Sequence, residues 1–203
     1  MEEARKDERN EIIFPRLECL VIKDLVKLSR FCSGNYIKFP SLKKLEIEEC
    51  PQFKAFVLTS MKTNSEETRP FFMEKVALPN VEEMVISGMD NLKMIWNNQL
   101  LEHSFQKLNL MEINNCDKLL SIFPSNMFET FWQLESLTVT ACGSLVEISD
   151  LQRLNFQERH SKAQLKELYI HGLPKVTQVL KKDPQVMLSF PKLKKVRISD
   201  VRI

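Results

Sequence analysis

The sequence predicts an α/β solenoid: a curved parallel β-sheet lines the concave face, and irregular or helical segments return the chain over the convex one. Three observations predict it. One apolar spacing, with hydrophobic residues at offsets 0, 3, 6, 8, 11, 14 and 17, recurs seven times along the 203 residues. In each copy offsets 6 and 8 are apolar and their neighbours mostly polar, the period of two of a short half-buried strand. Successive copies are related by translation, so their strands run parallel and the residues after offset 11 must carry the chain back across the outside. There the apolar offsets 14 and 17 have the spacing of a helical or 3₁₀-like stripe folded onto the strands.

Residues 1–13 form a charged N-terminal segment. The first eleven, MEEARKDERNE, contain no apolar stretch and cannot act as a secretory signal. The first copy reads Phe14, Leu17, Leu20, Ile22, Leu25, Leu28, Phe31, and the second Phe39, Leu42, Leu45, Ile47, Cys50, Phe53, Phe56. A long insertion, residues 57–77, follows; TNSEETRP within it is polar and holds a proline, which predicts a mobile excursion from the edge of the arc. The third copy is Leu78, Val81, Met84, Ile86, Met89, Leu92, Ile95, and the fourth Phe105, Leu108, Met111, Ile113, Cys116, Leu119, Ile122. Phe131, Leu134, Leu137, Val139, Cys142, Leu145 and Ile148 make the fifth. A smaller insertion, Ser149 to Ser161, could hold a turn of amphipathic helix. The sixth copy lacks its first anchor but keeps Leu165, Leu168, Ile170, Leu173, Val176 and Val179, and the seventh runs Phe190, Leu193, Val196, Ile198, Val201. This is the leucine-rich-repeat signature, L-x-x-L-x-L-x-x-(N or C)-x-x-L, giving one domain over 14–203 of about seven repeats, the last truncated.

Burying six or seven such side chains yields on the order of ten kcal/mol gross per copy, and chain entropy cancels most of it. A single copy cannot hold itself closed, so stability comes from stacking on neighbours. Because the pattern stops at Ile203 before offset 14 of its last copy, the expectation is a piece of a longer protein or a truncated gene product.

Composition narrows the class. No apolar run approaches the ~18 residues of a membrane helix, so no membrane span is expected. Cys50, Cys116 and Cys142 share offset 11, where a small buried hydrophobe fits a tight turn. With five cysteines, no C-x-x-C, no signal and no N-x-S/T sequon, neither a disulfide framework nor a zinc ribbon is expected, and the location is cytoplasmic or nuclear. A net charge of +2 is too mild to point to nucleic acid.

Catalytic and cofactor chemistry finds no support. The four glycines, Gly34, Gly88, Gly143 and Gly172, lie too far apart for a phosphate loop or G-x-G-x-x-G. His103, His160 and His171 form no H-E-x-x-H, and neither Cys19 nor Cys32 has a histidine nearby on the same face. The sequence therefore predicts no enzyme, no cofactor and no metal. The carboxylates Glu46 and Glu48 sit on a solvated edge with nothing to raise either pKa, which argues against acid catalysis.

What remains is the outward side of the strands, offsets 5, 7 and 9, as a protein-binding face. The candidates are Glu46 and Glu48; Glu83, Val85 and Ser87; Leu110, Glu112 and Asn114; Thr138 and Thr140; Tyr169 and His171; Lys195 and Arg197. In this order the face grades from acidic to basic. Solubility alone would also put polar groups here, but Val85, Leu110 and Tyr169 are larger apolar or amphipathic groups, and tyrosine is a favoured interface anchor.

The wording of the repeats goes further than their spacing. FPRLECLVIKDLVKLSRFCSGN, FPSLKKLEIEECPQFKAF, LPNVEEMVISGMDNLKMIW and LKELYIHGLPKVTQVL resemble the leucine-rich region of plant intracellular immune receptors of the coiled-coil, nucleotide-binding, leucine-rich-repeat class. Two alternating repeat styles, one ending in E-E-C-P or N-N-C-D and one in K-D-L or H-G-L-P, carry the likeness from Ile13 onward. The resemblance implies a module that senses pathogen effectors or modified host proteins and restrains the receptor's nucleotide-binding domain. With no phosphate loop or N-terminal coiled coil in this sequence, the switch itself is not implied. The alternative is a stand-alone intracellular scaffold or adaptor, such as a ubiquitin-ligase substrate-binding module.

Overall fold

Alternation decides the architecture: at offsets 5–9 of each aligned copy the chain is extended, and these seven segments pair side by side in one parallel sheet. The computed structural model describes residues 11–58, 69–96, 100, 103–123, 131–146, 148, 164–177 and 192–201. Its strands are β1 (Glu11–Ile13), β2 (Cys19–Lys23), β3 (Arg30–Ser33), β4 (Tyr36–Lys38), β5 (Lys44–Glu48), β6 (Ala55–Leu58), β7 (Val76–Ala77), β8 (Glu83–Ser87), β9 (Leu110–Asn114), β10 (Ser136–Thr140), β11 (Glu167–Leu173) and β12 (Lys195–Val201). The main sheet has the order β12-β11-β10-β9-β8-β5-β2, with every neighbouring pair parallel and in the register of the repeat. The fold is a leucine-rich-repeat solenoid.

Seven strands are not seven closed turns. Five of them, β5, β8, β9, β10 and β11, bury the residues at both offset 6 and offset 8. In β2 only Ile22 is buried, and in β12 Val196 and Ile198 are 51% and 40% exposed.

On the convex side, where the spacing allowed irregular or helical segments with a helical or 3₁₀-like stripe, the described residues contain no α-helix. Instead the amide at offset 14 turns straight back to the carbonyl at offset 11, as in Leu28 to Leu25 (3.0 Å), Phe53 to Cys50 (3.0 Å) and Leu119 to Cys116 (3.1 Å). Too few residues remain in a unit for a helix to close several of its own hydrogen bonds, so backbone groups find partners in the adjacent copy. Thus β3 pairs with β6, and a second small sheet of order β1-β4-β7 runs ahead of the main strands.

A departure concerns segment 57–77. Residues 59–68 lie outside those described, but the flanks belong to the core. Phe71 and Phe72 have no exposed surface, and their amides bond to the carbonyls of Met94 and Ile95 at 2.9 and 2.8 Å. They join an aromatic spine: Phe14 stacks on Phe39 at 5.1 Å, Phe31 on Phe56 at 4.9 Å and Phe72 on Trp96 at 6.0 Å, and Trp96 lies 4.8 Å from Phe131. Two adjacent phenylalanines gain more from burial than a polar excursion gains from freedom. The smaller insertion, Ser149 to Ser161, falls outside the described residues.

One feature of the repeat is invisible to a hydrophobic pattern. At offset 10 all seven copies enter the left-handed region: Asp24 (φ 56°), Glu49 (50°), Gly88 (62°), Asn115 (52°), Ala141 (52°), Gly172 (64°) and Asp200 (54°). The amide at this position donates to the offset-9 carbonyl of the next copy, from Asp24 to Glu48 (3.1 Å) through to Ala141 to His171 (2.9 Å). Gly, Asn and Asp tolerate this conformation and fill five of the seven places. Directly after it, the thiols of Cys50, Cys116 and Cys142 are fully buried and donate to carbonyls of Glu48, Asn114 and Thr140 at 3.2, 3.4 and 3.4 Å.

Candidate protein-binding face

Since offsets 6 and 8 point inward, offsets 5, 7 and 9 must point outward, and the parallel register stacks them into three columns on the concave face. The first holds Cys19, Lys44, Glu83, Leu110, Ser136, Glu167 and Lys195. The central column holds Val21, Glu46, Val85, Glu112, Thr138, Tyr169 and Arg197, and the third Lys23, Glu48, Ser87, Asn114, Thr140, His171 and Ser199. All fourteen candidates therefore lie on one continuous surface. Each is half-buried or exposed.

Neighbouring copies rework the expected acidic-to-basic grading. Lys23 bonds Glu48 at 2.6 Å, and Lys44 bonds Glu46 at 2.7 Å, so the acidic end carries its own cations. Hydrogen bonding to the Glu48 carboxylate, then its charge, raises the Lys23 ammonium above the ordinary lysine pKa; Glu46 does the same to Lys44. At the basic end Lys195 lies 3.6 Å from Glu167. These pairs, cross-strand for Lys23–Glu48 and Lys195–Glu167 and within β5 for Lys44–Glu46, are worth little as stability on the surface, but they cancel much of the gradient. Lys23, Lys44 and Glu167 were readable as outward residues, and only the register shows what they neutralise.

Polar contacts order the rest of the face. Thr140 donates to Asn114 Oδ1 at 2.7 Å, and His171 Nδ1 lies 2.9 Å from Ser199 Oγ and 3.2 Å from Asp200 Oδ2. The Arg197 guanidinium sits over the Tyr169 ring, 5.7 Å from its centroid. Between β10, β11 and β12 the surface sinks into a depression of about 150 Å³, lined among others by Ser136, Thr138, Tyr169 and Arg197. Just outside the columns, Lys166 pairs with Glu135 at 2.6 Å and Lys43 with Glu18 at 3.4 Å. Among the described residues no three His, Cys, Asp or Glu side chains gather to hold a metal ion, and no helix is long and apolar enough to cross a membrane.

Such a face has the make-up of a protein contact surface. Tyr169, Val85 and Leu110 supply area at little entropic cost, and fixed polar groups surround them. The family model for plant disease resistance protein RPS2-like leucine-rich repeats matches residues 80–202, more than half of the chain. No curated protein and no solved structure matches it.

Proposed function

Because the chain belongs to the leucine-rich repeats of RPS2-like plant disease resistance proteins, we propose that it is the protein-recognition module of a plant innate-immune receptor. The module binds a pathogen effector, a guarded host protein or the receptor's own nucleotide-binding domain through its concave face, in the cytoplasm or nucleus. One observation carries the reading: the register gathers Val85, Leu110 and Tyr169 among polar groups on one ordered surface. Family membership supplies the class, and the face supplies the means.

The test is recovery of partner proteins from leaf tissue expressing the tagged chain, comparing substitutions on the two sides of the solenoid. Val85→Asp with Tyr169→Ala is expected to reduce recovery of bound partners about tenfold or more, a loss typical of interface anchors. Leu120→Ser and Val146→Ser change exposed side chains on the return segments and are expected to leave recovery unchanged. If recovery is insensitive to the first pair, or falls equally with the second, the concave face is not the binding surface.

A further inference from the structure

Of the three charges in the central column, Glu46, Glu112 and Arg197, only the first is matched by an ion pair among the described residues. Glu46 is bonded to Lys44, but among the described residues Glu112 on β9 has no ion-pair partner and Arg197 on β12 has a ring beneath it and no carboxylate partner. Between them stand Thr138 and Tyr169, over the depression. We infer that this column takes an extended segment of the partner protein laid across the strands, with a cationic side chain over Glu112 and a carboxylate on Arg197, four residues apart.

The spacing follows from the fold. Glu112 and Arg197 are separated by three strand intervals, β9 to β10 to β11 to β12, about 14 Å at the usual distance between paired strands. An extended segment covers that span in about four residues, or about 13 Å, which sets the spacing expected of its two charges. A helix would cover about 6 Å with the same four residues. Tyr169 marks the Arg197 end: the guanidinium lies over its ring, 5.7 Å from the centroid, and a guanidinium can give a two-pronged bond to a carboxylate. Residues between the two charges pass over Thr138 and the depression, where small polar side chains fit.

The inference rests on the concave-face reading and is tested separately from it, by selecting binders to the whole chain from a displayed library of random nonapeptides. Selected peptides are expected to share a Lys or Arg and an Asp or Glu four positions apart. Arg197→Glu should weaken such a peptide about tenfold or more, with strong dependence on salt; exchanging the peptide's acid for lysine should restore most of the loss. That charge rescue separates the predicted contact from mere damage to the Tyr169 stack. Glu112→Lys should behave in the mirror sense, rescued by a peptide whose base becomes an acid. Binders without the pair, a failed rescue or the absence of any binder overturns the inference; binders without the pair that are lost with Tyr169→Ala do so while leaving the concave-face reading standing.

Discussion

In the middle of the solenoid and at its β12 edge the same pattern meets two different fates. Leu137 and Val139 on β10 have no exposed surface, whereas Val196 and Ile198, at the same two offsets of β12, are 51% and 40% exposed. Both pairs point away from the concave face. The difference is the neighbourhood: β10 lies between β9 and β11, while β12 has β11 on one side only among the described residues. An apolar residue in a repeat protein acquires most of its burial from adjacent copies, so position along the stack counts as much as residue type.

The sharpest way to break this comparison is to truncate both ends of it. Leu137→Ala is expected to cost about 2–5 kcal/mol in denaturant unfolding, as a core cavity does, and Val196→Ala less than about 1 kcal/mol, as a half-exposed site does. Equal costs would mean that β12 is covered in solution. A smaller effect is expected where the copies are linked through backbone. At Gly172 an added Cβ meets nothing closer than 3.5 Å, so Gly172→Ala isolates the left-handed backbone and should cost about 1–2 kcal/mol; Gly172→Asn, better suited to that conformation, should cost less. If the two substitutions behave alike in thermal melts, the turn is not held left-handed. Smallest of all, Thr138→Ala should stay within about 0.5 kcal/mol, since its inward neighbour Leu137 does the packing. A loss near that of Leu137→Ala would reverse the strand phase.

Most of the sheet was legible because it repeats a hydrophobic spacing, and spacing is what burial reads. Leu45, Met84, Met111, Leu137 and Leu168 are buried where the pattern puts them, and the outward candidates follow from the same phase. The return path was less legible. Offsets 14 and 17 suit a helix or a tight turn equally, and the choice went to turns and short strands whose backbone groups pair with the next copy. Phe71 and Phe72 were hidden by the polar run before them, although two adjacent aromatics before a repeat are themselves a core signal. The turn at offset 10 left a faint trace: Asp, Glu, Gly, Asn, Ala, Gly and Asp share little but smallness or polarity, and their common φ appears only in the fold.

By itself, then, the sequence determined that the strands are parallel, which residues face inward and which three offsets face outward, because side-chain alternation and translation of a repeat admit one phase. Only the tertiary structure decided which charges on that face are spent on one another. Lys23 meets Glu48 and Lys195 meets Glu167 across 25 and 28 residues of chain, and register, a property of paired strands rather than of either one, selects those partners. It leaves Glu112 and Arg197 with charge still to offer.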